Sequence, residues 1–582
     1  MTPAAADRRR RAAALAPTVA VVEKRGRFMT ASPVFERGRG VSLDSAKGAN
    51  VGDLVLLGAG KRGVRVVRRI GRPDVARDVL EALMLDRGLR RTFPRAVEAE
   101  AEAVAQEPPA ADSPRRDLTG LATFTIDPVT ARDYDDAVSA VREESGAIRV
   151  WVHIADVSAY VRPGSVLERE TFRRATSVYV PGAVEPMLPH ALSSGACSLV
   201  SGQERLAVTV ELEMDGAEVR SAAFHRSRIR SDARLTYPQV DRVFEGGERA
   251  EEPWGQPLAL AREVAAALRA KRQARGSLAV ESAEPVFDFD DRGHVVGVRH
   301  EEQTESHKLI EELMILANEQ VAGQLADRRV PTLYRVHEKP DPRSVERLAE
   351  QLESLEVPTP PLPESMSPQQ AGDLAAEMSH LIARYVAQSG RGRRSFGTLV
   401  LRAMKQAFYS PKNLGHAGLA SPRYSHFTSP IRRYPDLVAH RALLATIGVD
   451  DVAPRADELF DAGEHSSATE REAMQIERAA DDVCMCFLLE RRLAESGWEL
   501  EADGEVVGLI SKGLFVKFGD EGFEGFLPVR RMRGDWWDIN EQETALVGAD
   551  SGRKVRIGDP IRVAVASVDP PRGRADLELA AD

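Results

Sequence analysis

Cysteine is scarce in this chain: there are three in 582 residues, Cys197, Cys484 and Cys486. Three thiols cannot make a disulfide framework, which excludes the small stapled secreted domains and fits a reducing cytoplasm, the location expected here. Cys484 and Cys486 lie in "DDVCMCFLL", an apolar helical run with no second ligand pair nearby, so they read as buried thiols rather than a soft-metal site. Long apolar runs are missing as well. Nothing approaches the roughly 18 consecutive residues that a membrane span needs, so no membrane partner is expected. The opening "MTPAAADRRRRAAALAP" has arginines but no continuous apolar stretch of the kind a secretory signal carries. What is present is an ordinary globular mixture, 43% apolar and 29% charged, enough for several cores.

Charge is unevenly spread. The net value of −10 hides 20 Lys and Arg against 9 Asp and Glu in residues 1–91, a balance of +11 that leaves −21 for the remainder. A basic segment joined to an acidic body points to a polyanion handled by one module.

The pattern along the chain reads as a multidomain protein: an α+β catalytic body flanked by small β-barrels. Residues 1–90 form a basic module of short strands ("TVAVVEKRGRFMTASP", "GDLVLLGAGKRGVRVVRRIG") followed by a helix between Pro73 and Gly88. Residues 91–118, rich in Ala and Glu and ending in prolines, read as a linker. Residues 119–446 are the body. "IRVWVHIADVSAYV" alternates Ile148, Val150, Val152 and Ile154 on one face, and "RLAVTVELEMD" does the same with Leu206 to Met214. "SHKLIEELMILANEQVAGQLADRR" switches to helical spacing, with Ser306 as its N-cap. Residues 447–498 read as a charged surface helix closing the body, and 499–582 return to short strands.

Chemistry concentrates in two places. "TFTIDPVTARDYDDAV" sets Asp127, Asp133, Asp135 and Asp136 around one turn, with Arg132 the only cation in the stretch. Carboxylates converging in this way are costly unless divalent cations neutralise them, and hard oxygen donors select Mg²⁺ or Mn²⁺. A Ca²⁺ loop starting at Asp133 would need glycine at position 6 and an acid at position 5, where the chain has Val138 and Ala137. The second place is "SPRYSHFTSPIRRYPDLVAHR", which gathers Arg423, Arg432, Arg433, His440 and Arg441 among hydroxyls and aromatics. Arginine forks match phosphate oxygens. A phosphate clamp with a carboxylate metal cage is the equipment of metal-assisted phosphodiester hydrolysis.

These two motifs, about 300 residues apart, resemble the catalytic domain of the RNase II/RNase R exoribonucleases. The likeness continues through "WVHIADVSAYV", "TSVYVPGAVEPMLPHALSSGACSL" and "SHKLIEELMILANEQVA", so it covers about 330 residues. The tail "GEVVGLISKGLFVKF" is similar to an S1 RNA-binding domain through Gly513, Phe515 and Val516, and the basic N-terminal module looks like one cold-shock-type OB barrel. The resemblance implies a processive 3′→5′ hydrolase of single-stranded RNA that releases nucleoside 5′-monophosphates, with Mg²⁺ or Mn²⁺ as cofactor, acting as a monomer. By the same match Asp127, Asp133, Asp135 and Asp136 are metal-binding and catalytic. Arg432 holds the phosphate being cleaved, with Arg433 beside it on the RNA. Tyr179 stacks on a base, and Tyr237 and Glu311 contact the terminal nucleotide, Glu311 through its ribose hydroxyls. Some relatives carry a second stacking aromatic where this chain has Val280 and then Phe287. The alternatives are an RNA-binding regulator with a decayed nuclease domain, against which all four aspartates and Arg432 speak, or an enzyme that trims RNA 3′ ends. Phe28, Phe35, Phe515 and Phe518 are candidate RNA-facing aromatics of the barrels, with at least half of them expected in the barrel cores.

Overall fold

The computed structural model describes residues 19–36, 38–60, 63–108, 114–278, 283–449, 453–532 and 534–580. Strands Val19–Arg25, Phe28–Pro33, Val41–Ser45, Leu54–Ala59 and Val64–Gly71 close into a barrel around Ala20, Val22, Ala31, Val55 and Val66. The helix Ala76–Asp86 follows, and Gly88 ends it with φ +81°, a conformation open to glycine.

The stretch read as a linker is structured over most of its length. Residues Arg95–Gln106 form a helix that buries Val97 and Ala101 in the core of the body. Its Glu100 accepts a hydrogen bond from the Leu167 N–H (2.8 Å), tying it to the start of the helix Val166–Arg174.

The body is built on a seven-stranded sheet. Its order is Ala233–Thr236, Phe124–Asp127, Asp136–Arg142, Ile148–Ala155, Glu204–Asp215, Glu218–Arg230 and Arg116–Asp117. Alternation sends Val150, Val152, Ile154, Val208, Val210 and Leu212 to one face, under the helices Gly255–Ala274, Glu305–Asp327 and Tyr434–Thr446. Across the sheet runs a buried polar chain: Thr123 Oγ1 to Ser139 Oγ (2.7 Å), Ser139 to His153 Nε2 (3.1 Å), and His153 Nδ1 to Thr209 Oγ1 (2.9 Å). At the end of the Ile148–Ala155 strand the buried Asp156 carboxylate takes Arg226 (2.7 Å) and Arg115 (2.9 Å), which hold it well below the usual range.

Two expectations about helices change. The Glu305–Asp327 helix is capped by Thr304, whose side chain and backbone both bond His307, and Ser306 lies inside the first turn. The segment after 447 does not lie on the surface: Leu459–Glu495 is a single helix of 37 residues that buries Ala473, Ile476, Ala480, Val483, Cys484 and Phe487. It packs against the Ala76–Asp86 helix on one side and the C-terminal barrel on the other, so one continuous core joins three parts of the chain. All three cysteines are buried thiols. Strands Glu501–Ile510, Gly513–Phe518, Phe523–Pro528, Arg574–Leu579 and Pro560–Asp569 close the second barrel. A Cβ on Gly513 would sit 2.3 Å from the Leu527 carbonyl oxygen, so only glycine lets those strands approach. Of the four phenylalanines singled out in the sequence, Phe518 is fully buried, Phe35 and Phe515 are half-buried, and Phe28 is exposed.

Candidate active site

Asp127 is the last residue of one central strand and Asp136 the first of its antiparallel neighbour, so the turn between them carries all four aspartates at one edge of the sheet. Several contacts fix that turn. Ser198, in the "ACSL" segment, takes the Tyr134 N–H (3.0 Å) and donates to the Arg132 carbonyl (3.0 Å). Arg234 donates to the carbonyls of Pro128 (2.9 Å) and Val129 (2.8 Å). The Asp135 carbonyl takes the Ala155 N–H (2.8 Å). Ser198 carries no sequence signal beyond its place in the quoted "TSVYVPGAVEPMLPHALSSGACSL", and Arg234 none beyond standing three residues before Tyr237.

The second motif meets this turn directly. Asp135, 5% exposed, takes the Ile431 N–H on Oδ1 (2.9 Å), and its Oδ2 lies 3.8 Å from Arg432 Nε. Arg432 is half exposed and donates to Ser429 Oγ (3.1 Å), while its carbonyl takes the Ser177 N–H (3.0 Å). The other cations of that motif turn away. Arg433, expected beside Arg432 on the RNA, is mostly buried and donates to the fully buried Asp436 (2.8 Å). His440 stacks on Phe427 and bonds its carbonyl, Arg441 pairs with Glu168, and Arg423 pairs with Asp327. Alternate faces of a short turn and helix separate residues that are adjacent in sequence.

The electrostatics call for a cation. Burial first, and then the Asp136 charge, push the Asp127 carboxyl up to about 7. Burial pushes Asp136 up to about 6 against the pull of Arg432, and it pushes Asp135 well above the carboxylate range. Asp127 Oδ2 is buried with no hydrogen-bond partner among the described residues. The four-carboxylate cage expected from the sequence is not drawn together: among the described residues no three His, Cys, Asp or Glu side chains are close enough to hold a metal by themselves. Asp133 instead takes the Tyr179 hydroxyl (3.0 Å). This donor set suits a hard divalent cation that takes one or two carboxylates and completes its shell with water and substrate phosphate.

Three further residues border the site. Tyr179, 38% exposed, stands on the strand Val178–Val180, which pairs with Ala183–Glu185, and its N–H donates to Glu477 of the long helix (2.8 Å). Tyr237 opens the helix Tyr237–Phe244 and lies stacked on His307, with ring centroids 3.7 Å apart and planes at 13°. Its hydroxyl is pushed up by burial and by the Asp136 and Asp127 charges, which places it in their field. Glu311 follows His307 by one turn on the same helix face. Its neighbour Glu312 is 3% exposed and paired with Arg272, which leaves Glu311, itself 3.1 Å from Arg272, as the glutamate at the surface. Val280 lies outside the described residues, and Phe287 packs against the core shared with the long helix.

The RNB domain matches residues 115–448, more than half of the chain, and the S1 RNA binding domain matches 501–580. The chain belongs to the RNB family of ribonucleases. Ribonuclease R of Aquifex aeolicus (strain VF5) is 34% identical over 522 residues, 88% of this chain and 72% of that one. The structure of Mycoplasma genitalium RNase R in complex with ribose-methylated single-stranded RNA superposes with a TM-score of 0.85 at 25% identity, over 97% of this chain and 90% of that chain. Yeast Ssd1, a pseudonuclease, shares the fold at 16% identity with a TM-score of 0.66, over 91% of this chain and 67% of that one. RNB-family nucleases of the ribonuclease R kind use a divalent metal, in keeping with the raised carboxyls and the orphaned Asp127 oxygen found here.

Proposed function

We propose that this RNB-family exoribonuclease works as a cytoplasmic monomer that threads single-stranded RNA 3′ end first and hydrolyses it processively to nucleoside 5′-monophosphates. The observation that carries this reading is the convergence of Asp135 with Ile431 N–H and Arg432, from segments about 300 residues apart, beside the strained Asp127–Asp136 pair. A decayed nuclease domain has no need to keep buried carboxylates at that cost.

The roles follow from position. Arg432 is the half-exposed guanidinium at the aspartates, anchored through Ser429 and its own carbonyl, and it binds the phosphate being cleaved. Asp127, Asp133, Asp135 and Asp136 supply the oxygen donors for Mg²⁺, or Mn²⁺ in its place, with Asp127 and Asp136 the principal pair. An ion held by these carboxylates would supply neutralising charge and a more acidic water. Asp135, held by a backbone N–H and an arginine, is the carboxylate fixed most firmly at the cleavage point and the one turnover needs most. Tyr179 offers a ring face to a base, and stacking of that kind contributes about 1–3 kcal/mol without regard to sequence. Tyr237, backed by His307, seats the last nucleotide, and Glu311 takes its ribose hydroxyls, which is how the site tells RNA from DNA.

The test is product identity. Incubation of uniformly labelled single-stranded RNA with Mg²⁺ should give nucleoside 5′-monophosphates as the major small product, and a chelator should abolish it. Nucleoside 3′-monophosphates, or products that accumulate at one defined long length, would contradict the reading, the latter in favour of a trimming enzyme.

A further inference from the structure

The helix Gly255–Ala274 packs beside Glu305–Asp327, and three arginines on or just past the first reach glutamates of the second. Arg262 meets Glu305 (2.5 and 2.6 Å) and Arg275 meets Glu319 (3.1 Å), each with a single partner and each at least a third open to solvent on the arginine side. Ion pairs of that kind do little. Arg272 is different. Its side chain is 15% exposed, and its Nε (2.9 Å) and Nη2 (2.6 Å) both donate to Glu312 Oε1. The same Nη2 lies 3.1 Å from Glu311 Oε1, so one guanidinium is divided between two carboxylates adjacent in sequence.

Those two carboxylates have opposite surroundings. Neighbouring residues on a helix point about 100° apart. Glu312 is buried, whereas Glu311 is 38% exposed and follows His307, the ring on which Tyr237 is stacked, by one turn. Arg272 itself stands on firm support: the adjacent Lys271 donates to the Ala217 carbonyl (3.2 Å) and pairs with Glu218 (2.9 Å), which ties this end of the helix to the central sheet. The fork engages Glu311 through Oε1 alone, so the second oxygen of that carboxylate is not used by Arg272. An ionised carboxylate only accepts, and the ligand that suits it brings donors, as the two hydroxyls of a terminal ribose do. A glutamate left to itself on a helix surface spreads over many rotamers, and one already held loses less freedom when a ligand arrives.

We propose that Arg272 is a positioning residue for ribose recognition: it holds Glu311 where the carboxylate accepts from the hydroxyls of the 3′-terminal nucleotide, and so sets the preference for ribose over 2′-deoxyribose. The proposal rests on the role given to Glu311 above. The 2′-hydroxyl of the terminal nucleotide is not on the sugar whose 3′-oxygen leaves, so the preference there reports recognition rather than bond cleavage. Were Arg272 needed only to neutralise Glu312, its contact with the exposed Glu311 would have no consequence for substrate choice.

The test is single-turnover removal of the first nucleotide from two oligoribonucleotides that differ only in a 2′-deoxy sugar at the 3′-terminal position. The parent is compared with Glu312→Gln and with Arg272→Gln/Glu312→Gln, a pair that removes the buried charge together with its partner and so leaves no unpaired carboxylate inside. The parent favours the ribose end roughly ten- to a hundredfold, the range of one hydrogen bond to a charged group. Glu312→Gln keeps that ratio because Arg272 still holds Glu311, and the double variant brings the two rates to within about threefold of each other. An unchanged ratio in the double variant would overturn this inference and leave the exoribonuclease reading standing. Loss of the preference in Glu312→Gln alone would trace it to the buried charge, and equal slowing on both strands with a lowered melting temperature would trace the effect to the fold; either would overturn the proposal. A parent without preference at that nucleotide would overturn the ribose role of Glu311 and this inference together, whereas a parent that shortens neither strand would overturn the exoribonuclease reading itself.

Discussion

At the scale of the residue, Arg432 and Arg433 carry the same charge in adjacent positions and face opposite demands. Arg432 is half exposed beside Asp135, whereas Arg433 donates to a buried carboxylate. Arg432→Ala should leave the melting temperature close to that of the parent and cut kcat/KM on single-stranded RNA by about a hundredfold or more, the usual cost of losing a charge that stabilises a reacting centre. Arg433→Ala should do the reverse first, destabilising the fold by about 3–5 kcal/mol because Asp436 is left buried and unpaired. Parallel melting curves and initial rates distinguish the two. That difference was not legible in "SPIRR", because it depends on which way a turn points each side chain. The aspartates were legible, since four carboxylates about one Pro-containing turn have few structural uses. Their surroundings were not: the Tyr179 hydroxyl, 46 positions on, donates to Asp133, while burial sets Asp127 and Asp136 apart.

At the scale of the element, the long helix Leu459–Glu495 does what its composition conceals. Its buried face is built from alanine, cysteine and serine as much as from large apolar residues, so the hydropathy pattern is weak and the charged positions dominate the reading. By contrast, the strands of the central sheet were legible because branched apolar residues alternate strictly and both faces are covered. The helix also carries a testable strain. Burial, aided by Asp482 and Glu477, pushes the Asp481 carboxyl up to about 7. A carboxyl whose folded value lies above its unfolded value of 3.8 favours the folded state while both hold the proton. Stability is then lost as pH rises from about 4 to about 7. Asp481→Asn removes that penalty, so it should raise the melting temperature by a few degrees at about pH 8 and by little at about pH 4. Equal shifts at both values would contradict the assignment.

At the scale of the whole molecule, the sequence suggested modules on a string, and the two barrels were legible as such from their short strands and glycine punctuation. Their coupling was not. The N-terminal helix, the long helix and the S1 barrel share one apolar core, including Leu83, Phe487, Leu514 and Leu577, because each supplies only part of a buried surface. Deletion of residues 501–580 should therefore lower the melting temperature of what remains, in addition to weakening RNA binding, and circular dichroism melts of the truncated chain check this. The body is acidic while residues 1–91 are basic, so RNA must follow a narrow cationic track. Affinity should fall steeply with salt, with a slope of about −0.7 for each phosphate neutralised.

The most direct test of the account is a time course on 5′-end-labelled single-stranded RNA with Mg²⁺, comparing the parent with Asp135→Asn. The account predicts that the parent converts full-length RNA to a very short 5′ end product with few intermediates, while the variant binds the RNA with similar affinity and shortens it at least a hundredfold more slowly. Tight binding with no shortening by the parent, or equal shortening by both proteins, would contradict it.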